Sequence, residues 1–292
     1  MVTSPTVSRG QTQRELQTER GVLRYHDFGD GPPLVMLHGS GPGVSGWGNF
    51  RDNLPALGAH FRCLVLEFPG YGISDPTGEP PAIASAGSVP RFLDGLGLDR
   101  VLLLGNSMGG GVATRFAMAN PERVAKLVTI GGIGVNILNP FPSEGIVLLS
   151  EFADDPTREK LRRWLDSMVF DPALITDELF EERWQLATSH DALRSMRESY
   201  GREAMRRRMA PSADEVPYWA RFGAVAAPTL IAWGRDDRVS PLDMAMVAMR
   251  HIPRAELHVF PRCGHWVMQE QRVAFEEQVV AFLRRPDQPG DR

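Results

Sequence analysis

Short, unbroken apolar runs recur along the chain, each closed by small or turn-forming residues. Leu34-Val35-Met36-Leu37 runs into His38-Gly39-Ser40-Gly41, the run 61–66 stops at Pro69-Gly70, and Val101-Leu102-Leu103-Leu104 runs into Gly105. The runs 124–130, 229–233 and 256–260 end in the same way. Continuous apolar runs suit strands buried on both faces, whereas the alternation over 21–26 suits a strand with one face exposed. Helical spacing lies between the runs, at 91–98, 112–119 and 275–284. Strands alternating with helices predict a parallel sheet covered on both sides. From Asn139 to Ala220 the spacing is helical throughout, with apolar residues three and four apart. The pattern therefore predicts a polar, flexible arm over 1–20, a core built from 21–138 and 221–292, and a helical cap over 139–220. Within 80–90, Gly87 and Pro90 weaken any helix.

Composition narrows the function class. The chain has 292 residues, 42% hydrophobic and 23% charged, enough to bury a core without disulfides or metal. With a net charge of -4, bulk electrostatics suggest neither nucleic acid nor an anionic membrane as a partner. Cys63 and Cys263 stand far apart and outside any Cys-x-x-Cys pair, which fits a reducing compartment and speaks against a zinc site. No run is long enough to span a bilayer and the first residues lack an apolar signal core, so a cytoplasmic protein is expected.

Between the strand at 101–104 and the helix at 112–119 stands Gly105-x-Ser107-x-Gly109. Small residues two positions either side of a serine let a strand turn sharply into a helix, lifting the hydroxyl clear of the sheet. The helix aims its positive end and free N–H groups at the same place. Such a motif is common by chance in a glycine-rich chain, so partners must support it. Functional groups of parallel sheets gather at the carboxyl ends of strands. There the run 229–233 leads to Asp236 and Asp237, and the run 256–260 leads to His265. Serine, aspartate, histidine in that order is the α/β-hydrolase arrangement. Either aspartate can orient the histidine; the other is then a capping or ion-pairing residue. The backbone N–H groups of Ser40 and Met108 are placed to form an oxyanion hole.

Two further patterns carry alternatives. Gly41-x-Gly43-x-x-Gly46 after a strand, with Glu67 ending the next, imitates a dinucleotide site. Pro42 removes an N–H that pyrophosphate would need, and that reading leaves Ser107 and its partners unexplained. In the cap, Phe180, Arg183, Trp184 and Ala187 share one helix face. An arginine in such a stripe snorkels to its edge, pairs with a buried acid, or meets an anionic ligand.

With these residues assembled, the chain resembles the meta-cleavage-product hydrolases, carbon–carbon bond hydrolases of the α/β-hydrolase fold. The likeness rests on His38-Gly39-Ser40-Gly41-Pro42-Gly43 with Trp47-Gly48-Asn49-Phe50, on Gly105-Asn106-Ser107-Met108-Gly109-Gly110, on Gly234-Arg235-Asp236-Asp237-Arg238 and on Cys263-Gly264-His265-Trp266. It is nearest the steroid and biphenyl branch, through Asn139–Gly145 and Ile252–Phe260. The resemblance implies a triad of Ser107, Asp237 and His265, selecting Asp237 over Asp236. It places Gly41, Asn49, Asn106 and Trp266 at the polar end of a substrate pocket, and Arg183 against the carboxylate of a dienoate. Phe141, Leu148, Trp164 and Met168 are expected to shape the rest. It further implies a small-molecule substrate, no metal or organic cofactor, and a homodimer or larger even assembly. A carboxylesterase or lipase, or a ligand-binding protein on the same fold, are the rival readings.

Overall fold

A computed structural model describes residues 7–139, 141–209 and 216–286. Eight strands form one sheet: β1 Gln13–Thr18, β2 Gly21–Phe28, β3 Pro33–Leu37, β4 Arg62–Glu67, β5 Val101–Asn106, β6 Val124–Ile130, β7 Thr229–Gly234 and β8 Ala255–Phe260. Their spatial order is β1-β2-β4-β3-β5-β6-β7-β8. β2 pairs antiparallel with β1 and β4, and every other pairing is parallel. This is the α/β-hydrolase fold.

Period-two alternation divides the core between the two faces of the sheet. Leu34, Met36, Cys63, Val65, Leu102, Leu104, Leu230 and Ala232 pack on one face, with Phe275, Val279 and Phe282 of the last helix. Val35, Leu37, Leu64, Leu66, Leu103, Ile231 and Trp233 pack on the other, with Val89, Phe92, Val112 and Phe116. The cap residues Phe152, Trp164 and Leu165 join the first cluster.

Two expectations need correcting. The arm predicted over 1–20 is ordered structure where it is described. Residues 13–18 form the edge strand β1, in register from Gln13 opposite His26 to Thr18 opposite Gly21. Its polar sequence hides it, because an edge strand is held by ladder hydrogen bonds and needs few apolar side chains. Thr12 anchors its start with a hydroxyl 2.8 Å from His26 Nδ1. Residues 1–6 lie outside the described residues. The second correction concerns 81–95, which is one helix running through Gly87 and Pro90. It opens with proline in the first turn, where no N–H is needed. Its buried face, Ala84, Ser85, Ser88, Val89 and Phe92, supplies the packing that outweighs the interior proline.

Between β6 and β7 the cap contributes helices at Glu144–Asp154, Arg158–Met168, Asp177–Ala187, His190–Tyr200 and Arg202–Met209. Thr157, Thr176 and Ser189 cap three of them through their hydroxyls. Contacts to the core hold the cap in place. Asp243 accepts from Ile137 N at 2.6 Å, Leu138 N at 2.7 Å and Asn139 Nδ2 at 2.6 Å. Ser143 donates to Val239 O at 2.6 Å, and Arg51 pairs with Glu182 at 3.1 Å.

Candidate active site

β5 turns into the helix Met108–Ala119 through Ser107, whose φ of 53° and ψ of -117° lie outside the regions an L-residue prefers. The strain is held in place by neighbours. Ser107 N donates to Ile130 O at 2.8 Å, and Gly111 N donates back to Ser107 O at 3.1 Å. A Cβ on Gly105 would lie 2.3 Å from Gly109 O, and one on Gly109 would lie 2.2 Å from Leu37 O. Only glycine fits either place.

The ends of β7 and β8 bring Asp237 and His265 together. His265 Nδ1 lies 2.7 Å from Asp237 Oδ2. A carboxylate only accepts, so the ring donates to it from Nδ1 and Nε2 is left for the cavity side. Asp237 Oδ1 accepts from Val239 N and Ser240 N, each at 2.8 Å, fixing the carboxylate in turn. His265 is further held from the cap, its N–H donating to Met168 O at 2.7 Å. Asp236 faces elsewhere: it accepts from Cys263 N at 3.3 Å and pairs with Arg235 at 3.4 Å. Ser107 and His265 line one buried cavity, together with Ser40, Gly41, Asn49, Asn106, Arg183 and Trp266.

His38, under the loop after β3, is wholly buried. Its Nδ1–H donates to Gly39 O at 2.6 Å and its Nε2 accepts from Phe68 N at 3.0 Å, so it stays neutral. Burial pushes it the same way, below its ordinary pKa. The loop it braces runs against the elbow, with the ideal Cβ of Gly39 3.4 Å from Ser107 Cβ. Ser40 follows, its hydroxyl bonded to Tyr200 of the cap. Met108 opens the helix, where backbone N–H groups lack intrahelical partners.

Polar side chains form part of the lining. Asn49 Nδ2 donates to Asn106 Oδ1 at 3.1 Å, and Asn106 Nδ2 donates to Ile130 O at 3.1 Å. Arg183 lies with its guanidinium 5.0 Å from the centroid of the Trp266 ring. It is only 3% exposed, and its one protein hydrogen bond is Nη1 to Pro42 O at 3.4 Å. Nη2 has no partner, and no carboxylate pairs with Arg183 among the described residues. Burial pushes its pKa down to about 10, still well above neutrality. The buried-acid alternative for this residue is therefore absent, and so is the snorkelling one.

Much of the remaining lining is apolar. Ile146 and Leu149 come from the first cap helix, Trp164 and Met168 from the second, and Val239 from the loop after β7. Of the four cap residues named from sequence, Trp164 and Met168 line the cavity. Leu148 is buried in the cap core, and Phe141 is 45% exposed. Ile146, Leu149 and Tyr200 were not foreseen. The first two lie three apart on one helix face, the only signal the sequence offers for them.

The rival centres fail on geometry. Glu67 is buried and occupies the N–H groups of Gly46 at 2.7 Å and Trp47 at 2.9 Å, which a bound pyrophosphate would need. Burial raises both thiols, Cys63 to about 12, so neither is a ready nucleophile. Among the described residues no cluster of three metal-ligating side chains occurs.

Comparison with known proteins agrees with this architecture. A family profile described as alpha/beta hydrolase fold matches residues 32–271. The 2-hydroxy-6-oxo-6-phenylhexa-2,4-dienoate hydrolase of Burkholderia cepacia is 37% identical over 289 residues, covering 95% of this chain and 96% of that protein. A 2-hydroxy-6-oxononadienedioate/2-hydroxy-6-oxononatrienedioate hydrolase of Cupriavidus pinatubonensis is 39% identical, with 97% of both chains covered. Among solved structures, a mutant meta-cleavage product hydrolase of Pseudomonas fluorescens complexed with acetates superposes with a TM-score of 0.81. It is 30% identical, over 94% of this chain and 98% of that one. With likeness running through core and cap alike, this chain belongs to the α/β-hydrolase fold family and, within it, to the meta-cleavage-product hydrolases.

Proposed function

We propose that the protein hydrolyses the carbon–carbon bond of a 2-hydroxy-6-oxo-hexa-2,4-dienoate, using Ser107, His265 and Asp237 as its triad. The observation that carries this reading is Arg183. A buried guanidinium with no counter-ion costs stability unless a ligand supplies the charge, and it shares a cavity with an elbow serine. An ester hydrolase has no use for it.

The substrate carboxylate pairs with Arg183, and the 2-oxygen lies by Asn106 and Asn49, with Trp266 and Gly41 flanking. His265 first moves a proton that converts the dienol to its keto form. Ser107 Oγ then bonds to the 6-oxo carbon and passes its proton to His265 Nε2, while the Ser40 and Met108 N–H groups hold the oxyanion. The adjoining carbon–carbon bond breaks, its electron pair staying on the dienoate fragment, which takes the proton from His265. Water, deprotonated by His265, cleaves the acyl ester, releasing a carboxylic acid and restoring the serine hydroxyl. These steps call for no metal or organic cofactor.

The cavity holds about 40 Å³. That is room for about one water, so substrate enters as cap side chains shift. A groove of about 210 Å³ between core loops and the helices 177–187 and 190–200 adjoins it at Gly41 and Val44, and is the proposed route. The enzyme works in the cytoplasm as a homodimer or larger even assembly; no helix among the described residues is long and apolar enough to cross a membrane.

Loss of the coloured dienoate, followed by absorbance, tests the reading. Ser107→Ala abolishes turnover while substrate still binds; unimpaired turnover refutes the assignment. If wild-type protein spares aryl, alkyl and steroid-derived dienoates but hydrolyses simple esters, the carbon–carbon reading falls and the esterase reading replaces it.

A further inference from the structure

The segment that carries His265 lies between β8 and a short helix at Val267–Glu270, and its backbone is strained. Arg262 has a φ of 51°, and among the described residues only Ser107 shares a positive φ without being glycine. Such strain persists only where the surroundings fix it. Gln271 Nε2 donates to Arg262 O at 3.3 Å, and Glu270 fixes the residues that follow. Glu270 Oε1 accepts from Gly264 N at 2.9 Å and Trp266 N at 3.2 Å, the two neighbours of His265 in the chain. Its Oε2 accepts from Phe170 N of the cap at 2.7 Å. His265 N in turn donates to Met168 O, so segment and cap are tied in both directions. The approach is close: a Cβ on Gly264 would lie 2.6 Å from Met168 O and 2.9 Å from the Val169 backbone.

No lysine or arginine pairs with Glu270 among the described residues. Burial raises its pKa, and the three N–H groups oppose that rise. A partly buried carboxylate that forgoes a cation and gives both oxygens to main-chain N–H groups acts on backbone position. That position matters for the base, whose ring must keep Nδ1 on Asp237 while Nε2 serves Ser107. A displacement of about 1 Å at such a group can cost about 100-fold in rate. Resting on the triad reading above, the structure assigns Glu270 as a positioning residue. It holds the backbone on both sides of His265 and fastens it to the end of the cap helix Arg158–Met168. The cap thus does more than line the cavity, because its placement sets the placement of the base.

Variants of the full chain test the assignment. In Glu270→Ala, kcat for the 6-phenyl dienoate should fall about 100-fold while KM changes less than about 3-fold. The His265 Nδ1 proton, a far-downfield NMR resonance in the free wild-type enzyme, should shift or broaden. Glu270→Gln keeps one oxygen for Gly264 N and Trp266 N and should recover at least about 10-fold of the loss. Phe170→Pro leaves Glu270 in place and removes the cap N–H that it accepts. Val169 already has the extended backbone that precedes a proline, with φ -122° and ψ 156°. There kcat should fall about 5-fold or more. A folded Glu270→Ala with wild-type kcat and resonance, and only a lower Tm, makes Glu270 structural and overturns the proposal. A folded Phe170→Pro with unchanged kcat overturns it too, and this variant decides the matter if Glu270→Ala does not fold. If the wild-type protein cleaves no dienoate, the carbon–carbon reading falls alone. The resonance and the kcat for simple esters then test Glu270 in the same way.

Discussion

Glu67 and Arg183 are both buried charged residues, and both touch the segment 38–47, yet their surroundings are opposite. Glu67 accepts two backbone hydrogen bonds, from Gly46 and Trp47, and lies 3.5 Å from His26 Nε2 and 4.0 Å from His38 Nε2. Burial alone would raise its pKa, but His26 and the two N–H groups together hold it below the usual carboxylate range. Arg183 has one long bond to Pro42 O and an idle Nη2. A buried charge whose partners are complete belongs to the fold; one whose partners are missing belongs to a ligand.

The comparison breaks most visibly at Glu67. Glu67→Ala leaves two N–H groups of the helix at Gly46 unsatisfied and should cost roughly 3–5 kcal/mol, read by denaturant unfolding. A loss under about 1 kcal/mol would show that its partners are not needed. Arg183→Leu should do the reverse. Stability holds or rises, since an unpaired buried cation is removed, while kcat/KM for the dienoate falls about 100-fold or more through KM. Ester hydrolysis by the same variant should persist. A marked drop in Tm with KM intact would make Arg183 structural after all.

Sequence carried the strands and the elbow because their signals are local. Apolar runs ended by glycine mark buried strands, and the glycines two residues from Ser107 are demanded by backbone contact. Signals that depend on direction were weaker. Asp236 and Asp237 are the same residue type in one turn, and no pattern tells which faces β8; the family resemblance made that choice. The cap helices show apolar residues on every turn, so nothing separates Leu148, which faces the cap core, from Leu149, which faces the cavity. β1 was missed because hydrogen bonds to β2, rather than side chains, define it. Arg183 was conspicuous as a cation in an apolar stripe, but its lack of a counter-ion is a property of space that sequence does not contain.

The partnered cluster around Glu67 also sets the acid limb of stability. His38 is held neutral in the fold, with a pKa below its unfolded value of about 6.5. As pH falls through that value the unfolded chain takes up a proton that the folded chain refuses, so stability declines. Glu67 adds a second loss: its contribution is present above an unfolded pKa of about 4.3 and disappears as pH falls through the lower folded value. Tm should therefore fall as pH drops below about 6.5 and fall further below about 4.3. In His38→Gln the upper decline should flatten while the lower one remains. An identical profile in both proteins would place the titration elsewhere.

The smallest effect is expected at Asp236, where the same reasoning applies to two neighbours. Asp237 spends both oxygens inside the protein, on His265 and on the N–H groups of Val239 and Ser240. Asp236 is partly exposed, and its pairing with Arg235 is of the surface kind that contributes little. Asp236→Asn keeps an oxygen to accept from Cys263 N, so kcat should change less than about 3-fold and stability by under about 1 kcal/mol. Asp237→Asn keeps the volume but removes the acceptor that holds the His265 proton on Nδ1, so kcat should collapse without loss of folding. If the two substitutions reduced kcat alike, completeness of partners would not separate a working carboxylate from a neighbouring one, and the argument drawn from Glu67 and Arg183 would lose its force here too.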